Sequence, residues 1–131
     1  MANEAIQVEG EYIIHDFTVA ASTGIKQGAL LILSDPRTAA TGELGVFAGV
    51  AMTEKDATSD QTELGLCTDG IFTMTAQSGT TIVAGAMVII SGTNTITNAA
   101  AGDLLTGLVV GKALEDIASN TTGEVHVGAS A

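Results

Sequence analysis

Short apolar runs, each bounded by glycine and polar turn residues, recur along the chain, and two of them match closely. The stretch IKQGALLILS at Ile25–Ser34 returns as IVAGAMVIIS at Ile82–Ser91, with isoleucine, glycine and serine at the same spacing. A short apolar run between turn residues is typical of a strand that is covered on both faces. The pattern therefore predicts a β unit that the chain contains twice.

The parts that follow each run come in the same order. A polar turn leads to a second glycine-led apolar phrase, which is Gly49–Met52 in the first copy and Gly111–Leu114 in the second. Each copy then closes with alternating apolar and polar residues, Thr62–Leu66 and Gly123–Val127, as in a half-buried strand. We therefore predict three strands in each copy.

The predicted fold class is all-β: a small barrel or sandwich built from two tandem three-stranded repeats, at about residues 25–66 and 82–127. Neither copy has enough strands to bury a face alone, so the economical arrangement packs the two together. Between them, Asp69-Gly70 forms a turn before a further alternating strand, Ile71–Thr75. For residues 113–119, a strand and a short helix both remain open.

The first eleven residues differ in character from the rest. We therefore divide the chain into an extended N-terminal arm, residues 1–11, and a single β domain, residues 12–131. Within the arm, Ile6 and Val8 alternate with polar neighbours, and the next large apolar residue is Tyr12. Two interpretations stay open, because such a segment is either a disordered terminus or a strand that adds to the edge of a neighbour's sheet.

Composition and charge exclude several classes of partner. The chain is 46% hydrophobic with three Phe, one Tyr and no Trp, and its formal net charge is −11. That charge opposes the phosphate neutralisation on which nucleic-acid affinity depends, and it opposes docking on anionic lipid. The N-terminus has no basic region, and no apolar run approaches the roughly 20 residues of a spanning helix. We expect no secretion signal, no nucleic-acid or membrane partner, and synthesis in the cytoplasm.

Motifs for chemistry are missing from the sequence. It has no glycine-rich nucleotide motif, no nucleophile elbow, and only two histidines, without paired ligands at metal-binding spacing. The carboxylates Glu54, Asp56, Asp60 and Glu63 lie among Thr and Ser, which is typical of a solvated loop. The single cysteine, Cys67, permits no disulfide within one chain. We therefore expect no enzyme activity, no cofactor and no metal.

Glycine-led apolar phrases give the chain a family resemblance over residues 19–127. The sequence resembles the small capsid decoration, or cement, proteins of tailed bacteriophages through a series of phrases in a fixed order: Gly28-Ala29-Leu30-Leu31, Gly49-Val50-Ala51, Gly70-Ile71-Phe72, Gly85-Ala86-Met87-Val88, Gly111-Lys112-Ala113-Leu114 and Glu124-Val125-His126-Val127. Two phrases depart from the family's usual pattern, because Gly85-Ala86 stands where Gly-Asp is frequent and Gly111-Lys112 stands where Gly-Val is usual. Relatives of this kind often carry a label as RecA-like recombinases. This chain contradicts that label, since it has neither a nucleotide-phosphate motif nor positive charge for DNA.

The resemblance implies a structural protein of the virion, generally a homotrimer, that binds the major capsid protein. It implies a position on the outer surface of the expanded capsid, where the protein stabilises the shell by bridging neighbouring capsomers. Our hypothesis for the contact residues is that Ile6, Val8 and Tyr12 form part of an arm that meets the capsid or a neighbouring copy.

Two other functions remain open at this point. One is a soluble β-barrel ligand-binding module, or a small accessory enzyme, that uses the acidic loop at residues 54–63. The other is a receptor-binding or fibre-tip domain, which the few aromatic residues disfavour. Copy number in purified virions separates cement from ligand-binding module, because a cement protein is present at a level comparable with the major capsid protein.

Overall fold

The computed structural model describes residues 3–8 and 12–128 of the chain. Every regular element in that part is a β-strand, and none is a helix that could span a bilayer. The all-β prediction is therefore confirmed. In chain order the strands are β1 Ile6–Gln7, β2 Ile13–Thr18, β3 Leu30–Asp35, β4 Thr38–Thr41, β5 Phe47–Ala51, β6 Glu63–Ala76, β7 Met87–Ile90, β8 Thr95–Asn98, β9 Val109–Ala113 and β10 Thr122–Val127.

Strand β6, with 14 residues, is shared by two closed rings of strands. Its first half, residues 63–69, joins β2, β4, β3 and β5 into a five-stranded ring, which we call barrel 1. Its second half, residues 70–76, joins β8, β7, β9 and β10 into a second ring, barrel 2. Neighbouring strands in both rings are antiparallel, except that β2–β4 and β6–β8 are parallel.

The two barrels repeat each other's registers. Thr18 pairs with Thr38 in barrel 1, and Thr75 pairs with Thr95 in barrel 2. Each residue of the second pair lies 57 residues after its counterpart in the first pair. The same spacing relates the β3–β4 hairpin to the β7–β8 hairpin, and the irregularity in register between β3 and β5 recurs between β7 and β9. Strand β2 therefore corresponds to the second half of β6, and the first half of β6 corresponds to β10.

Each barrel contains strands that the sequence pattern does not reveal, which corrects the predicted count of three per copy. Strands β4 and β8 have four residues each, TAAT and TITN, so they offer no long apolar run. Turns with positive φ at Arg37 (55°) and Asn94 (57°) lead into them. Residues 114–119 form turns and one bridge, between Ile82 and Ile117, and no helix. The division into an arm and one domain stays a prediction.

Apolar side chains, mostly aliphatic, fill both barrels. One cluster of buried residues includes Phe72 and extends through barrel 2 to Leu30 and Val50 of barrel 1. A second cluster, around Leu31 and Leu66, fills the rest of barrel 1. Full burial of one such side chain contributes about 1.5–3 kcal/mol. Because one cluster crosses from barrel to barrel, the two rings share their packing as well as a strand.

The N-terminal segment lies on the chain's own sheet. Strand β1 pairs with β6, with Ile6 opposite Thr73. Ala5 is buried, and its N–H donates to the Gly28 carbonyl oxygen at 2.7 Å. Residues 5–8 are therefore paired within their own chain. The other residues of the predicted arm, 1–2 and 9–11, lie outside the described residues.

Candidate functional surfaces

The structure brings the three predicted arm residues to the second half of β6. Ile6 is 65% exposed, while Val8 and Tyr12 are half-buried. The N–H of Val8 donates to the Ile71 carbonyl oxygen at 3.0 Å, and the Tyr12 hydroxyl donates to the same oxygen at 3.2 Å. The Tyr12 ring packs edge-on against Phe72, with 5.5 Å between ring centroids. Of the three side chains, Ile6 is the one that presents a largely free surface to a partner.

The acidic loop at residues 54–63 is organised around a buried lysine. The Lys55 ammonium donates to the Thr23 carbonyl oxygen at 2.7 Å and to the Ser59 carbonyl oxygen at 3.5 Å. The backbone of Lys55 also bridges to Ile25, in the position that Ile117 takes against Ile82 in barrel 2. The lysine therefore connects the loop, through the Ser59 carbonyl, to the Thr23 carbonyl of the segment that precedes β3.

The carboxylates of this loop do not form a site. Glu54 pairs with Lys26 at 3.2 Å, and both side chains are about half exposed. Within residues 3–8 and 12–128, no three Asp, Glu, His or Cys side chains lie close enough together to hold a metal ion. A shallow cavity of about 280 Å³ runs along Lys26, Glu54 and Asp56. Its walls include the Lys26–Glu54 surface pair and the buried Lys55, whose ammonium already donates to two backbone carbonyls.

Cys67 and His126 occupy corresponding positions in the two barrels, opposite Ile14 and Ile71 respectively. Burial raises the pKa of the Cys67 thiol, which donates to the Asp69 carbonyl oxygen at 3.1 Å. A raised pKa keeps the thiol protonated, and the thiolate is the reactive form. His126 Nε2 lies 3.1 Å from Asp69 Oδ1 at the surface. Neither group has the surroundings of a catalytic nucleophile.

An exposed apolar surface lies where the two barrels meet, and we call it the loop patch. Leu105 is 91% exposed, the largest exposure among the large apolar side chains that the structure describes. Under this name we group the exposed apolar side chains of the 42–46 loop, the 99–108 loop and the neighbouring strand β3, which are Leu33, Leu44, Val46, Leu104 and Leu105. Exposed apolar side chains gathered in one place mark interaction sites more often than single ones do.

Two loops, one from each barrel, build the loop patch. The β4–β5 loop spans residues 42–46, and the corresponding β8–β9 loop spans residues 99–108, five residues more. The N–H of Phe47 donates to the Gly107 carbonyl oxygen at 3.1 Å, and the N–H of Leu33 donates to the Val46 carbonyl oxygen at 2.8 Å. This surface was not predicted from the sequence. The available signal was the extra length of the second copy, which contains Leu104-Leu105.

A second exposed surface follows β2, and we call it the β2 surface. Ile13 is 52% exposed and Ile14 is 50% exposed, although successive side chains of a strand point to opposite faces. Only Phe17 of this strand is even partly buried. In barrel 2 the corresponding stretch of β6 includes the buried Phe72 and Met74. Strand β2 therefore has the pairing of a barrel strand without the usual burial.

Strand β2, which carries the β2 surface, and strand β5, which follows the 42–46 loop, pair with opposite edges of β6. Leu66 pairs with His15 of β2 and also with Ala51 of β5, and a strand has only two edges. Strand β2 thus follows one edge, while β5, which begins directly after the 42–46 loop, follows the other. Strand β6 therefore lies between the strand of the β2 surface and the strand that follows the 42–46 loop.

Comparison with solved structures finds a similar fold in a phage protein. The head fiber gp8.5 N base of bacteriophage phi29 matches with a TM-score of 0.52 and 16% sequence identity, over 88% of this chain and 94% of that chain. At that identity the likeness shows a shared fold. The comparison with curated proteins finds no match.

Comparison with protein families gives a match over nearly the whole chain. The matching family model is described as phage cement protein and covers residues 8–129, which includes both barrels. The match confirms the resemblance that the glycine-led phrases suggest, and with it a location at the capsid surface. This protein belongs to the phage cement protein family and is a structural protein of the phage capsid surface.

Proposed function

We propose that this protein bridges neighbouring capsomers on the outside of the expanded capsid, binding the major capsid protein as a homotrimer. The observation that carries the proposal is that the chain exposes apolar side chains on two different stretches, the loop patch and the β2 surface. A bridging protein needs two separate contact regions. A protein that only coats one subunit needs one.

The energetics of bridging favour many modest contacts. Covering a fully exposed leucine contributes about 1.5–3 kcal/mol, so Leu105 alone is worth a substantial part of a weak interface. A trimer repeats each contact three times, and linked contacts gain avidity without any new interaction. A protein that binds the assembled shell and not its separated subunits stabilises the shell by mass action.

Co-sedimentation with expanded capsids that lack the protein tests the proposal, followed by melting of those capsids with and without it. We expect saturable binding and a higher capsid melting temperature. Capsids that bind the protein yet melt unchanged would contradict bridging. The absence of any binding would contradict capsid attachment by this chain.

Substitution of Leu105 by serine identifies the contact surface. We expect Leu105→Ser to weaken capsid binding roughly tenfold, because it removes the most exposed apolar side chain of the loop patch. Val83→Ser is the matched control, since Val83 is also largely exposed but lies outside both surfaces. Equal binding by the two variants would remove the loop patch from the proposed interface.

The arm is proposed as a third contact, through Ile6, Val8 and Tyr12. Deleting residues 1–10 is a blunt test, because it also removes the buried Ala5 from the core. Ile6→Ser is sharper, since it changes an exposed side chain and keeps the β1 ladder. Weaker capsid binding at unchanged stability supports the arm contact, and unchanged binding removes Ile6 from it.

A further inference from the structure

The outer edge of β2, the edge away from β6, lacks the strand that covers the corresponding edge in barrel 2. There, β1 pairs with the second half of β6, and the N–H of Val8 donates to the Ile71 carbonyl oxygen. Ile71 and Ile14 are 57 residues apart and occupy the same position in their barrels. Among the strands that the structure describes, β2 pairs only with β6 and, at Thr18, with β4.

Backbone groups along this edge face outward. The N–H of Thr18 donates to the Arg37 carbonyl oxygen, on the β4 side. Backbone groups alternate between the two edges of a strand, so those of Ile14 and Asp16 face the same way. The Arg37 side chain covers part of this edge, because its Nε donates to the Asp16 carbonyl oxygen at 3.0 Å. Its guanidinium lies 5.3 Å from the Phe17 ring centroid.

We propose that the outer edge of β2 takes an added strand from the capsid protein, an extended segment with apolar and basic side chains. The inference rests on the capsid attachment proposed above and names how one contact is made. The added strand pairs with the backbone of Ile14 and replaces the Arg37 side chain at the Asp16 carbonyl. Its apolar residues cover the exposed Ile13 and Ile14 side chains.

Charge decides between the capsid and a second copy of this chain as the source of that strand. Asp16, Asp35 and Glu63 lie on β2 and the strands around it, against the single cation Arg37. The first eleven residues of a second copy carry three Glu and no Lys or Arg, so they would add to this negative charge. A basic segment from another protein neutralises it.

The variant Ile14→Pro tests strand addition. Proline removes the outward N–H and blocks an approaching strand, while it is tolerated where the N–H does not belong to the ladder. Ile14→Thr is the control, because threonine retains the N–H and the β-branched shape. We expect Ile14→Pro to bind capsids at least about tenfold more weakly than Ile14→Thr at a similar melting temperature. Equal binding by the two variants overturns the proposal.

Hydrogen exchange of the wild-type protein gives a second measurement that does not depend on how a variant folds. We expect the amides of Ile14 and Asp16, which face the open edge, to exchange faster in the free protein than on the capsid. Capsid binding that leaves these amides unprotected overturns strand addition while it leaves capsid attachment intact. If the wild type binds no capsid, the proposed function itself fails.

Two further outcomes test the nature of the strand. Asp16→Lys should weaken capsid binding, and unchanged or tighter binding overturns the basic character of the segment. Sedimentation of the purified protein tests the source. An oligomer that Ile14→Pro dissociates and Ile14→Thr does not would assign the edge to a second copy and overturn the capsid assignment.

Discussion

Barrel 1 and barrel 2 have the same strand pairings but differ in what covers them. In barrel 2, the second half of β6 is covered by β1 and by the Tyr12 ring, and Phe72 is buried there. In barrel 1 the corresponding strand is β2, and the residue that matches Phe72 is the exposed His15. The two barrels therefore share a backbone arrangement. The segments that pack on each barrel decide which of the two exposes a surface to a partner.

The largest expected effect comes from truncating the same position in each barrel. Phe72→Ala should lower the free energy of unfolding by about 3–5 kcal/mol, because it leaves a cavity under Tyr12. His15→Ala should change it by less than about 0.5 kcal/mol, since His15 is exposed. Urea unfolding of both variants measures the difference. A large loss for His15→Ala would mean that β2 is buried in solution, for instance within an oligomer.

Alanine substitutions at two corresponding glycines distinguish backbone strain in a turn from contact with the N-terminal arm. Gly28 and Gly85 have φ of 89° and 90°, so alanine at either should cost about 1–2 kcal/mol of unfolding free energy. At Gly28 a Cβ would also overlap the Ala5 carbonyl oxygen, whereas Gly85 has nothing within 4 Å. Only Gly28→Ala should therefore speed hydrogen exchange at Val8. Equal exchange in the two variants would contradict the docked position of the arm.

Lys55 is the polar counterpart of Ile117, and its substitution tests how much the buried ammonium contributes. Lys55→Met should lower the free energy of unfolding by about 1–2 kcal/mol, because two backbone carbonyls lose a charged donor and the recovered desolvation offsets part of the loss. The exposed pair gives the control, since Lys26→Met should cost less than about 1 kcal/mol. Thermal melting of each variant measures the difference. A higher melting temperature for Lys55→Met than for the wild type would show that an apolar residue, as in barrel 2, stabilises barrel 1 more than the lysine does.

The smallest expected effect is the pH dependence that Cys67 adds to barrel 1. Burial raises the thiol pKa in the folded protein, so the unfolded chain loses this proton first as pH rises. The stability that the buried, protonated thiol contributes is complete below the ordinary thiol pKa, about 8.5. It is lost above that pH, as the pH rises towards the thiol pKa of the folded protein. Stability of the wild type should therefore fall more steeply above about pH 8.5 than that of Cys67→Ala. Parallel curves would contradict the raised pKa.

The sequence predicts the parts of the fold that local patterns determine. Ile25–Ser34 and Ile82–Ser91 alternate apolar runs and glycines at one spacing, and that spacing returns in the registers of the two barrels. Strands β4 and β8 escape such analysis because pairing with a hairpin partner, and not an apolar run, makes them strands. The family also follows from the order of the glycine-led phrases.

The exposed surfaces could not be predicted in the same way. Leu104-Leu105 has the composition of a core segment, and only the added length of its loop places it outside the barrel. The open edge of β2 is recognised only by comparing the two barrels. The strand registers show that β1 covers the corresponding edge of β6 in barrel 2. The contact roles of Ile6, Val8 and Tyr12 stay a prediction, because no comparison tests them.

One continuous strand through both barrels has a mechanical consequence. Fourteen residues of extended chain span about 45 Å, and each barrel closes around its own half of that length. A hinge between the barrels would have to break β6 and the packing that both rings share. In the proposed bridging role, the chain would act as a stiff spacer that sets the distance between its contact points, and it would resist bending of the shell.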